Sequence, residues 1–96
     1  MVSQMIEAGE IALIVHFDNE GIERPYGWTT VDTREGKSRL KGRKDVLAGT
    51  NALVIERVEI ELEDRFHHDQ PGRRVYYWCM SPAGRLMIDS RFVEKV

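Results

Sequence analysis

The stretch Arg57-Val-Glu-Ile-Glu-Leu-Glu63 alternates charged and apolar residues without a break, and a polar segment then leads into the run Val75-Tyr-Tyr-Trp-Cys-Met80. Strict period-two alternation fits a strand with one dry face and one wet face, and it does not fit a helix. Ser81-Pro-Ala-Gly84 is turn chemistry, short enough to join Val75–Met80 to Leu86–Ile88 as a hairpin. A chain whose last third is a β-meander is expected to be mainly β throughout.

The rest of the chain can be read against that expectation. Glu10–Phe17 predicts a strand with Ile11, Leu13, Val15 and Phe17 turned inward and His16 outward. Residues 18–27 hold Asp18-Asn-Glu-Gly21 and Pro25, which predict an irregular loop, and Trp28–Arg34 predicts a second strand. Residues 35–49 are interrupted by Glu35-Gly36 and Lys41-Gly42 and read as a basic loop, with a helical turn over Lys44–Ala48 as an alternative. In the strand from Ala52 to Glu63, Leu53 and Ile55 are odd-numbered whereas Val58, Ile60 and Leu62 are even, so a β-bulge near Glu56 and Arg57 is expected to keep both halves on one core. Residues 65–74 read as a loop. The end of the chain predicts a 3₁₀ turn and a short last strand, or else a short helix; residues 2–8 predict a short N-terminal helix with Ser3 as N-cap and Gly9 as stop.

A length of 96 residues suits a single domain over 1–96, with one core burying about 65% of the unfolded chain's surface. The expected fold is a small barrel or strongly bent antiparallel sheet of about five strands. Hydrophobic and charged fractions of 42% and 31% are those of a globular protein in water. The longest aliphatic run, Ile11–Val15, is too short to span a bilayer, and residues 1–10 lack a basic leader, so no membrane association and a cytoplasmic location are expected. Cys79 is the only cysteine and sits in an apolar run, which predicts a buried thiol in a reducing compartment.

Net charge is −2, yet the sign alternates along the chain: residues 1–23 carry five acids and no base, whereas 24–49 carry seven bases and three acids. So small a net charge argues against wholesale coating of nucleic acid, while leaving room for one basic face.

Strand, long polar loop, strand, short loop, aromatic strand, tight turn, strand, 3₁₀ turn and last strand is an order that resembles an SH3-like small β-barrel. Leu86-Met-Ile-Asp-Ser-Arg-Phe-Val93 is similar to that family's Gly-Leu-Ile-Pro-Ser-Asn-Tyr-Val, matching at Ile88, Ser90 and Val93, and Ala12-Leu13 begins like its Ala-Leu-Tyr-Asp-Tyr. The resemblance implies that Ile14, His16, Asp89 and Phe92 stand where the family stacks proline-rich peptides. The family's tyrosines and proline are missing there, so the resemblance implies the fold rather than the ligand.

Motifs with chemical potential were weighed against plainer readings. Gly36-Lys37-Ser38 lacks the glycine that a phosphate-binding loop needs five residues earlier, where Val31 stands. His67-His68-Asp69 has metal-ligand chemistry but too few ligands at converging spacing, so a polar loop is the simpler reading and no metal or cofactor is expected. Cys79, between Trp78 and Met80, lacks the electropositive surroundings of a nucleophilic thiol. Glu59, Glu61 and Glu63 share one strand face, where like environments give no acid and base pair and solubility explains them better.

The basic segment is the strongest functional candidate: Arg34, Lys37, Arg39, Lys41, Arg43 and Lys44 place six cations within eleven residues, opposed within the segment only by Glu35. Trp28 and Tyr77 are the aromatics expected to supply burial beside it, with Trp78 in the core. The expected function is that of a non-enzymatic binding module, an accessory or inhibitor-like protein docking on a protein partner through this loop. Nucleic-acid binding through residues 34–44 is the second reading, a small enzyme using Cys79 or the histidine loop the third, and homo-oligomerisation is compatible with each.

Overall fold

The computed structural model describes residues 5–16, 24–63 and 73–96. Seven strands follow in order: β1 (Ile11–Ile14), β2 (Tyr26–Arg34), β3 (Lys37–Asp45), β4 (Asn51–Leu62), β5 (Arg73–Ser81), β6 (Gly84–Asp89) and, after a 3₁₀ turn over Ser90–Phe92, β7 (Val93–Lys95). They form one sheet in the order β3-β2-β6-β5-β4-β1-β7. Neighbours are antiparallel, and a short parallel pairing of Lys37 with Glu61 and Ser38 with Leu62 brings β3 back against β4, closing a ring through five strands. The mainly-β fold expected from sequence is present, with seven strands rather than about five.

Two cores divide the sheet. One lies inside the ring, where β3 contributes Leu40, β4 Leu62, β5 Tyr76 and β6 Met87, with Trp28 and Val31 of β2 packed against them. The other lies on the opposite face of β5 and β6, where Tyr77, Cys79, Leu86 and Ile88 meet Ala12, Ile14, Ala52, Val54, Phe92 and Val93. Strand β4 serves both. The β4–β5 register shifts between Val54 and Glu56, so Val54 stands opposite Cys79 while Val58 stands opposite Tyr76. These two valines, four residues apart, would share a face in a regular strand; the extra residue turns the second half over. The bulge therefore falls within a residue of the expected place but does a different job, since it feeds two cores rather than holding both halves to one.

Strand parity in β1 and in the first half of β4 is the reverse of the expectation, while Val58, Ile60 and Leu62 in the second half face inward as expected. Ala12, Ile14, Ala52 and Val54 are buried, whereas Ile11 and Leu53 are each 43% exposed and Ile55 36%. In the cluster that buries them, the small Ala12 and Ala52 are packed with the large Tyr77 and Phe92 and with Ile14 and Val54. Tyr77, expected to supply burial at the surface beside the basic segment, instead lies in this core. It is 2% exposed, and its hydroxyl accepts a hydrogen bond from the Ile6 amide at 3.3 Å, so it lines no surface. Trp78, expected in the core, is half-buried with the Arg85 guanidinium 4.4 Å above its ring.

The basic loop expected over residues 35–49 is in its first part a strand. Glu35 and Gly36 both adopt positive φ, 52° and 79°, as the central pair of a two-residue hairpin turn of the type I′ kind requires, and Arg34 pairs with Lys37 across it. Midway, Gly42 has φ 74°, and a Cβ there would stand 1.9 Å from Thr29 Oγ1. The twist at this point lets Trp28 and Val31, three residues apart, reach the same cluster.

At the N-terminus the expected helix is absent from its described part: residues 5–10 form a turn at Ala8–Gly9, where the Glu7 amide donates to Glu10 Oε1 at 2.8 Å. Ser3, Phe17, Asp18–Gly21 and most of the 65–74 loop lie outside the described residues. The 3₁₀ turn and last strand are as expected, with Asp89 Oδ1 accepting from the Arg91 amide at 3.0 Å.

The hairpin turn makes a direct prediction. Glutamate is a poor occupant of a left-handed position and asparagine a good one, so Glu35→Asn should raise stability by about 0.5–1 kcal/mol. Gly42→Ala should lower it by more than about 1 kcal/mol. Urea unfolding checks both, and a neutral Gly42→Ala contradicts the tight approach to Thr29.

Candidate functional site

The six cations lie on the hairpin of β2 and β3 and its turn, but they are not unopposed. Lys41 Nζ is 2.7 Å from Asp32 Oδ2, Arg39 Nε is 3.2 Å from Glu63 Oε2, and Arg43 Nε is 3.6 Å from Asp45 Oδ1. The acids come from β2, from the end of β3 and from the residue after β4, and only the fold assembles them. Asp32, Arg34, Arg39, Lys41 and Glu63 line a shallow hollow of about 130 Å³ over the seam where β3 meets β4. There the Glu63 amide also donates to the Ser38 carbonyl at 3.0 Å. The Lys41 hydrogen bond, and then its charge, hold the Asp32 carboxyl below the usual carboxylate range. A phosphate reaching Arg39, Lys41 or Arg43 has to compete with these carboxylates.

At the far end of β3 the surroundings change. Arg43 packs its guanidinium 4.0 Å from the centre of the Tyr26 ring, which in turn contacts Trp28 edge-on and the buried Phe92. Lys44 Nζ reaches the Ala83 carbonyl at 3.5 Å. Beside them opens an apolar hollow of about 300 Å³ lined by Asp45, Val46, Leu47, Thr50, Ser81, Pro82 and Ala83. Two tight turns build its walls. The Leu47 carbonyl accepts from Thr50 Oγ1 at 2.7 Å, and Ser81 Oγ donates to the Gly84 carbonyl at 2.9 Å. Leu47, on the rim, is 77% exposed.

Of the residues singled out from sequence, Arg43 and Lys44 stand at this hollow, Arg39, Lys41 and Arg34 at the charged seam, and Lys37 at the hairpin turn. Trp28 is half-buried between the ring core and Tyr26, and Tyr77 belongs to the opposite core. Sequence reading missed Leu47 and Pro82–Ala83, and the available signal was a large aliphatic next to two glycine- and proline-containing turns. Of the positions implied for a proline-rich ligand, Ile14 and Phe92 are fully buried, His16 is exposed, and Asp89 is 5% exposed with Arg74 Nη1 at 3.3 Å and Arg91 Nε at 3.2 Å from its Oδ2.

Cys79 is fully buried, and burial pushes its thiol up to about 11. Glu59 and Glu61 face water, with Glu59 3.0 Å from Arg57 Nη2, as expected of a solvated face. Among the described residues no three His, Cys, Asp or Glu side chains are placed to hold a metal; the His67-His68-Asp69 segment lies outside them. Among them, too, no helix is long and apolar enough to cross a membrane.

Two outcomes follow from these environments. In proton-resolved titration Asp32 should protonate below the ordinary aspartate range and move up in a Lys41→Met variant; because its folded pKa lies below the unfolded one, the pair stabilises above that unfolded value and is lost as pH falls. A thiol reagent at pH 8 should modify native Cys79 only as fast as the protein opens, and rapid stoichiometric reaction without denaturant contradicts its burial.

No family model, curated protein or solved structure matches the chain, so its reading rests on its own geometry.

Proposed function

We propose that this protein is a non-enzymatic binding module that docks on an acidic, apolar-tipped segment of a protein partner, through the hollow beside Arg43 and Lys44. The observation that carries this reading is Leu47, 77% exposed on the rim of an apolar hollow whose lining residues Asp45 and Ala83 are contacted by Arg43 and Lys44. A large aliphatic held in water beside a concave apolar surface has most to gain from a partner side chain, and neighbouring cations speed encounter with an acidic segment. Val46, Pro82 and Ala83 supply the burial first assigned to Tyr77.

The order of strands, the tight β5–β6 hairpin and the 3₁₀ turn before β7 support reading the fold as an SH3-like small barrel whose recognition surface does not use the proline-rich groove. Nucleic-acid binding is the less supported alternative, because phosphates would have to compete with Asp32 and Glu63 for Lys41 and Arg39.

Capture of the tagged protein's partners from host lysate, with and without nuclease, tests both. The expected result is one protein retained in stoichiometric yield after nuclease, lost or weakened about tenfold or more by Leu47→Asp and weakened by Arg43→Glu with Lys44→Glu. Retention that disappears with nuclease and depends on Arg39 and Lys41 overturns the protein-docking reading in favour of phosphate contacts.

A further inference from the structure

Strand β1 and the first half of β4 turn Ala12, Ile14, Ala52 and Val54 inward and leave Ile11 and Leu53 outward, and the register aligns these two with further exposed aliphatics. Ile11 stands opposite Leu53, Leu53 opposite Met80, and Met80 opposite Arg85. Continuing the β1–β7 register by one residue from Ala12 and Lys95 sets Val96 opposite Ile11. The four apolar members are 43–78% exposed. They form a continuous row across β7, β1, β4 and β5, on the face that the β2–β3 hairpin covers further along. Scattered exposed aliphatics are ordinary, but four in one cross-strand row make a patch on the order of 400 Å², a size at which monomer surfaces usually serve an interface.

We infer that this row is where a second copy of the chain docks, face to face, about a two-fold axis through Leu53. The charges at the ends of the row select this occupant. Arg85 closes the β6 end, its guanidinium held over Trp78. Glu94 lies at the β7 end, exposed, two residues from Val96 and so on the same face. A two-fold through Leu53 lays Leu53 on its counterpart, Ile11 over the other copy's Met80, and Val96 over the other copy's Arg85. That arginine then meets Glu94 about 6–7 Å along the strand. The row is self-complementary in residue order and in the sign of its end charges, as an isologous contact requires. Two such patches bury about 800 Å² together, less than the roughly 1,200–2,000 Å² of a tight complex, so the dimer is weak and reversible.

Sedimentation of the full chain over a range from roughly 5 to 500 µM reads this directly. The expected result is a mass rising from 11.1 kDa toward twice that value with concentration. Leu53→Lys should raise the dissociation constant about tenfold or more. Arg85→Glu and Glu94→Arg should each weaken association, and the two together should restore it, a rescue that no loss of folding can mimic. A chain that stays monomeric throughout, or a dimer indifferent to Leu53→Lys and to the charge exchange, overturns the inference.

Discussion

Everything in this fold depends on one extra residue in β4. The shift of pairing between Val54 and Glu56 lets a strand of twelve residues face one core with Ala52 and Val54 and another with Val58, Ile60 and Leu62. Without it, one half would present its apolar side chains to water, each fully buried aliphatic forfeiting about 1.5–3 kcal/mol. The bulge also sends the second half of β4 toward β3, where the parallel pairing at Ser38 and Leu62 closes the ring. Ring and outer core are thus two consequences of one irregularity.

Ring closure decides what the basic segment can do. As a loop, residues 34–44 would be a mobile cluster of cations; as a strand, they are fixed, and the fold brings Asp32, Asp45 and Glu63 among them. Arg43 and Lys44 lie at the end of β3 where Asp45 and Ala83, which they contact, line the apolar hollow. Steering charge and apolar burial therefore coincide at the β3 end near Leu47. The aliphatic row on β7, β1, β4 and β5 is a separate feature: Ala12, Ile14, Ala52 and Val54 take the inner face with Tyr77 and Phe92, and Ile11 and Leu53 are left outside.

Much of this was legible in the sequence where local chemistry decides. The alternation in Arg57–Glu63, the turn at Ser81–Gly84, the parity slip in β4 and the 3₁₀ turn at Ser90 all followed from patterns a few residues long. What was not legible depended on distant partners. Residues 37–45 lack β-branched residues except for Val46 just beyond, and only Ser38 and Leu40 face inward, so nothing local announces a strand; β2 and β4 impose it. Parity in β1 failed because Ile11 and Leu13 look like the inward set, and nothing local shows that Ala12 and Ile14 pack with Tyr77 and Phe92. Tyr77 was misplaced because a strand apolar on both faces buries both: Tyr77 fills the outer core while Trp78, half-buried, packs against the ring core.

The ring closes because residues 37–45 form a strand against β4. Two-dimensional proton NMR distances across that seam should show parallel-strand contacts between Ser38 and the segment Glu61–Glu63, together with slow exchange of the Glu63 amide, which donates to the Ser38 carbonyl. Absence of those contacts, with amides of residues 37–45 exchanging at the rates of an open chain, would contradict it and return the basic segment to a loop.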